Sequence, residues 1–379
     1  MLDKLKNCFS KDPVNVGRQR ELDIAKGIVI IFMSFSHCIE ILGWFFDPSL
    51  THSPSWHDFD MAIKSLVLVF ITCMGISLCY SSKQSAMALF RRAIGMLGTV
   101  ALLELSRTLI PCLIEWLIFR DLGSIRYAYQ FLSVDILQFA TMALAVIALF
   151  KKLNLKPHTM ILIASICAVV GQILQGVSTG SVFGDYAVGY LWYSHDASYF
   201  PLLNWLIAPV IGYAIGHAWL HLKDKDTFFK IVTPISFLVS VLYILSMIFV
   251  GEWYYFSEGC YCGIGLLDIL FMFVIFLAVA GISHFLGRLM PRVSQLLESM
   301  GVRISSIYCI HWVVYAFLYL SLTCLMGDNF VPTWAVTPVA LLVLAVADAL
   351  SRLYKKIAHT LHSDRKKLEK TKIQLNNSK

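Results

Sequence analysis

Apolar runs of bilayer length recur along this chain, and the first of them limits the possible folds most. Leu22–Phe46 reads LDIAKGIVIIFMSFSHCIEILGWFF. About 25 residues at ~1.5 Å per residue cross a hydrocarbon core, and the run is too long for the apolar core of a signal peptide. Lys26, His37 and Glu40 interrupt it. Ionisable groups inside a membrane helix are expensive, and their default reading is functional. His37 and Glu40 stand at i and i+3 and share one helical face. A carboxylate beside an imidazole favours its charged form and orients the ring, as a general base requires. An imidazole satisfied by a neighbouring helix is the plain structural alternative, and both readings stand at this point.

The whole composition agrees with a membrane location. Of 379 residues, 58% are hydrophobic and 15% charged, whereas soluble domains carry roughly 25% charged residues. The expected fold is all-α, a polytopic bundle of about ten transmembrane helices. After the first run come further spans near 61–80, 93–119, 127–150, 158–176, 199–220, 228–250, 263–286, 304–326 and 333–354. The third is interrupted by Glu104, Arg107 and Pro111, which predicts a bend or break. Lys and Arg fill alternate loops, with Arg120 and Arg126 as the exceptions, so the positive-inside rule places both termini in the cytoplasm. The chain divides into a cytoplasmic segment 1–21, a transmembrane domain 22–354 and a basic cytoplasmic tail 355–379, with no cleavable signal sequence expected. The tail reads as a solvated or membrane-surface helix with a claim on anionic lipid. The excess of basic residues has no nucleic-acid footprint. The ten cysteines lie mostly in apolar runs, and no Cys/His spacing suggests a metal site.

This topology sorts the polar residues into two regions. Arg18, Arg20, Lys26, Arg91, Arg92, Arg288, Arg292 and Arg303 belong to the cytoplasmic side. His37 lies past the midplane, and His52, His57, Asp58 and Asp60 follow in the outer loop, with Asp135 in the outer half of the fourth span. Glu104 and Arg107, at i and i+3, read as a mutually neutralising pair. His311 lies deep in the ninth span. A basic inner mouth leading to a His- and acid-rich outer region suits an anionic donor bound from the cytoplasm and used outside.

Several segments resemble known acyltransferases. Leu22-Asp23-Ile-Ala-Lys26-Gly27, with His37 eleven residues after Lys26, resembles the LDxLRG helix of the acyltransferase-3 superfamily, with Lys in place of Arg. Other segments resemble the related heparan-α-glucosaminide N-acetyltransferase type. These are His52-Ser-Pro-Ser-Trp56-His57-Asp58, Val69-Phe70-Ile71 with Gly75, Val134-Asp135-Ile136-Leu137-Gln138, and Tyr199-Phe200-Pro201-Leu202-Leu203-Asn204-Trp205 with Gly212, Tyr213 and Gly216. Ile304-Ser-Ser-Ile-Tyr308-Cys-Ile-His311-Trp312 resembles a late helix of both groups.

The resemblance implies transfer of an acyl group, acetyl first among them, from acetyl-CoA as co-substrate to a hydroxyl or amine of an extracytoplasmic saccharide or glycan. It implies His37, His52 or His57 as the base or transient acyl carrier, with Glu40, Asp58 or Asp135 orienting the ring. Arg18, Arg20, Lys26, Arg91 and Arg92 would meet the phosphates of coenzyme A, with His311 in support. The expected setting is multi-pass, in the plasma membrane of a bacterium, among membrane lipids, with no metal and no nucleic acid, and with homodimerisation left open. A transporter or flippase of a lipid-linked sugar or small polar solute is the alternative.

Overall fold

The computed structural model describes residues 1–46, 54–120, 128–195, 198–257, 260–327 and 331–377, with the side chains of 44, 54, 128, 129 and 361–377 left aside. Helices account for nearly all of the regular structure: α1 (Arg20–Leu42), α2 (Pro54–Lys64), α3 (Val67–Tyr80), α4 (Ala86–Glu104), α5 (Ile110–Phe119), α6 (Ile136–Lys152), α7 (Pro157–Ile173), α8 (Ile207–Leu220), α9 (Lys225–Val250), α10 (Leu266–Leu289), α11 (Pro291–Val302), α12 (Ile304–Met326) and α13 (Val336–Asn377). Eight helical stretches among the described residues are long and apolar enough to cross a membrane, and the chain is a multi-pass membrane protein. α6 and α7, at 17 residues each, are shorter than the spans expected at 127–150 and 158–176.

Local chemistry accounts for most of the differences in boundary. The fourth span starts at Ile136 rather than near 127 because Asp135 caps it, its carboxylate accepting from the Ile136 amide at 2.6 Å. α7 opens on Pro157, whose missing N–H is one that a first helical turn leaves unpaired anyway. The expected outer loop before the second span is helical from Pro54, in two pieces that join at residues 65–66. Between α4 and α5 the helix widens into one π-turn, Leu105–Leu109, with Pro111 buried just beyond. That is the interruption expected at Glu104, Arg107 and Pro111. α11 lies where a basic loop was expected, and α13 runs without a break through the start of the basic tail.

The loops rich in Lys and Arg gather at one end. There the Ser10 amide donates to the His221 carbonyl at 2.7 Å, Lys225 meets Glu21 at 2.6 Å, and Arg303, between α11 and α12, meets Asp348 on α13 at 2.6 Å. At the other end Phe45 and Phe46 pair with Val331, and the Asn204 amide donates to the Gly263 carbonyl at 3.1 Å. α1, α3, α6, α8 and α10 supply most of the buried apolar core, and a smaller cluster of Cys38, Leu42, Phe45, Tyr315 and Val336 closes α1 against α12 and α13. α11 lies so close to α1 that a Cβ on Gly27 would collide with the Leu297 carbonyl, and one on Gly301 with the Asp23 carbonyl. α4 and α5, by contrast, are mostly uncovered: Leu97, Leu102, Leu113, Leu117 and Ile118 are exposed, as apolar side chains facing lipid would be.

Candidate functional site

One face of α1 carries Val29, Met33, Ser36, His37 and Glu40, and this face forms a wall of a cavity of about 510 Å³. That volume lies within the usual range of small-ligand sites, roughly 300–1,000 Å³. Lys64 from α2, Arg107 from the π-turn, Asp135 from the cap of α6, and Tyr308 and Trp312 from α12 complete its polar lining; Glu115 of α5 and Tyr319 of α12 also reach it. Tyr261 closes another side, and burial holds its phenol well above its usual pKa, so it is a protonated donor at neutral pH.

His37 is clamped from α12. Its Nδ1 lies 2.7 Å from Nε2 of His311, and the two rings meet edge to edge and nearly coplanar, with centroids 5.0 Å apart and planes 9° from parallel. The Trp312 ring lies 4.3 Å from the His37 ring, centroid to centroid, and the Arg107 guanidinium sits 4.6 Å above Trp312. The hydrogen-bond partner of the imidazole among the described residues is therefore His311, and none of Glu40, Asp58 and Asp135 bonds the ring. Sequence spacing pointed to Glu40 because it shares the helix, yet an i+3 carboxylate need not turn back along the helix when the ring has a partner across the bundle.

Arg107 ties together groups that are distant in sequence. It donates from Nη2 and Nε to Glu104 at 2.5 and 3.2 Å, and from Nη1 to Asp135 at 2.6 Å. Gln138 and Thr108 also donate to Glu104, at 2.8 and 3.1 Å, and Tyr308 donates to Asp135 at 2.7 Å. Buried charges persist when paired and hydrogen-bonded in this way. Glu104 and Arg107 do neutralise each other, but with Asp135 as a third member. A second polar set runs from Ser36, which donates to Asp60 at 2.5 Å, to Lys64, whose ammonium meets Asp60 at 2.8 Å. Sequence reasoning does not assign Arg107, Lys64 and Tyr308 to the site, and it counts Asp60 only among the acids of the outer loop. For Tyr308 the signal was present in the late-helix pattern; for the others no local spacing announces a partner in another helix.

Other expected residues lie elsewhere. His57 is exposed on α2 and does not line the cavity. Asp58 accepts from the Trp253 indole at 2.9 Å, fastening α2 to the segment after α9. His52 lies outside the described residues. At the basic end, Arg18 and Lys26 converge on Asp23 at 2.8 and 2.7 Å. Arg18 and Arg20 reach Glu298 of α11 at 3.2 and 3.0 Å. Arg18 also lines a smaller cavity of about 300 Å³ with Leu22, Ser77 and Tyr80. Arg91 and Arg92 are exposed on α4 and form no hydrogen bond or ion pair among the described residues.

No curated protein and no solved structure matches the chain. Residues 18–250, more than half of the chain, match the family described as heparan-alpha-glucosaminide N-acetyltransferase, catalytic, and the protein belongs to that family.

Proposed function

We propose that this member of the acetyltransferase family takes an acetyl group from acetyl-CoA on the cytoplasmic side and delivers it to a hydroxyl or amine of a saccharide on the outer side, with His37 as the reacting base. The observation that carries this reading is the clamped imidazole of His37 on the wall of a cavity that also presents Lys64, Arg107 and Glu40. The basic cluster of Arg18, Arg20 and Lys26 would meet the phosphates of the donor. From Lys26 to His37 the helix rises about 16 Å, a span that an extended pantetheine arm covers.

In direct transfer, the acceptor oxygen or nitrogen attacks the thioester carbonyl while His37 takes its proton. The C–S bond then breaks, and the proton passes from His37 to the departing sulfur, giving free coenzyme A. In the two-step alternative the same ring nitrogen attacks the thioester first and carries the acetyl group as an acyl-imidazole, which the acceptor then opens. Arg107 and Lys64 add positive charge to a cavity where negative charge develops on the carbonyl oxygen.

Purified protein in detergent with radiolabelled acetyl-CoA tests the reading. The wild type should hydrolyse the thioester slowly and transfer label to a saccharide acceptor. His37→Ala should lose that turnover by at least about 100-fold while keeping its elution profile, and His52→Ala serves as the comparison. A wild type that neither binds nor hydrolyses acetyl-CoA sinks the donor assignment and brings the transporter or flippase forward.

A further inference from the structure

His311 is fully buried and does not line the cavity, so it acts on the reaction only through neighbours that do, and His37 is the one it hydrogen-bonds. It also lies beyond the stretch that matches the family. Its Nδ1 is 3.1 Å from the Ile307 carbonyl oxygen, and a carbonyl can only accept. The proton of neutral His311 therefore sits on Nδ1, and its Nε2 is left with a lone pair. That lone pair faces Nδ1 of His37 at 2.7 Å, so the proton between the rings comes from His37.

We infer that His311 is a positioning residue that fixes His37 as the Nδ1–H tautomer and so presents the lone pair of Nε2 to the cavity. The inference deepens the proposed function, resting on His37 as the reacting group, and names the reacting atom. No described residue hydrogen-bonds Nε2 of His37. Glu40 on α1, Lys64 from α2, Arg107 from the π-turn, Glu115 on α5, Asp135 at the cap of α6, Tyr308 and Tyr319 on α12, and Tyr199, Tyr261 and Cys262 are the charged and titratable groups that share the cavity, and no described hydrogen bond joins any of them to the ring.

The chain of bonds also gives the proton a direction. When Nε2 takes the acceptor's proton, His37 becomes an imidazolium whose Nδ1–H still points at a lone pair, and that charge-assisted bond holds the ring in place. The chain ends at a peptide carbonyl that cannot be protonated, so the buried side offers no exit. The proton leaves by the nitrogen through which it arrived, to the sulfur that departs with coenzyme A. In the two-step route the same geometry makes Nε2 the atom that bears the acetyl group.

The test compares His311→Gln with His311→Phe in the full-length protein. Glutamine places an amide oxygen where Nε2 of His311 stands and can accept the His37 proton; phenylalanine fills the space and accepts nothing. His311→Phe should lower kcat roughly 10²–10⁴-fold with KM for acetyl-CoA within about 2-fold, and His311→Gln should recover most of that kcat. ¹⁵N spectra of histidine-labelled protein should show His37 with Nε2 unprotonated in wild type and His311→Gln, and a tautomer mixture in His311→Phe. Wild-type kcat in His311→Phe, or a folded His311→Gln as impaired as His311→Phe, would overturn the inference. So would a wild-type spectrum with His37 protonated on Nε2. If wild type proves not to turn over acetyl-CoA at all, the proposed function falls, and the spectra alone still decide whether His311 sets the tautomer.

Discussion

The two charged regions of this protein use the same side chains under opposite conditions. At the cavity, the Arg107 side chain is 8% exposed and its partner Glu104 2%. At the basic end, Arg18 and Arg20 are 56% and 54% exposed while meeting Glu298 at 3.2 and 3.0 Å. In the first region both carboxylate oxygens of Glu104 and of Asp135 have partners, because a buried charge left unpaired is costly. In the second, water and salt compete for every pair, and the arginines remain available to an incoming polyanion. Similar contacts thus have different consequences: one set fixes a cavity wall, and the other leaves its arginines at the surface.

The comparison can be broken by removing one member from each region. Arg107→Ala should be the most damaging change, leaving Glu104 and Asp135 buried and uncompensated at a cost of about 3–5 kcal/mol. Thermal unfolding in detergent would register it, and an unchanged midpoint would mean that the network is wet. Gly301→Leu comes next and probes packing at the basic end. Its side chain must push α11 off α1 at the Asp23 carbonyl, costing about 1–3 kcal/mol by overpacking and moving Glu298 away from Arg18 and Arg20. Donor affinity should change with it; a stable variant with unaltered affinity would show that α11 does not shape the mouth. Arg20→Ala should be the mildest, below about 1 kcal/mol in stability and insensitive to position on the melting curve at 1 M salt. Its effect should fall on KM for acetyl-CoA, weakening as salt is raised. A loss of stability as large as that of Arg107→Ala would erase the distinction between the regions.

Much of this was legible in the chain itself. Alternate basic loops announced which ends lie together, and Glu104, Arg107 and Pro111 announced an irregularity in the third span, which takes the form of a π-turn rather than a break. His37 and Asp135 stood out as costly residues in apolar runs, and both line the cavity. What was not legible is the identity of partners. Glu40 was the nearest carboxylate to His37 by spacing, yet His311, 274 positions away, holds the ring. Arg107 was read with Glu104 alone, because an i+3 neighbour is visible in sequence while Asp135, 28 positions away, is not. Asp58 carried a motif resemblance, but the Trp253 indole takes it out of the cavity wall.

The division follows from the range of the forces involved. Length, hydropathy and charge act along one helix and against the bilayer, so the sequence alone determined an all-α membrane bundle, its family pattern and the residues too expensive to bury without reason. Which of those residues face one another depends on helix rotation and crossing, which close packing sets over the whole bundle, as at Gly27 and Gly301 where α1 and α11 touch backbone to backbone. Only the tertiary structure could place His311 behind His37 and Asp135 beside Arg107, because a hydrogen bond requires its partners within about 3 Å, and no local spacing along the chain specifies that.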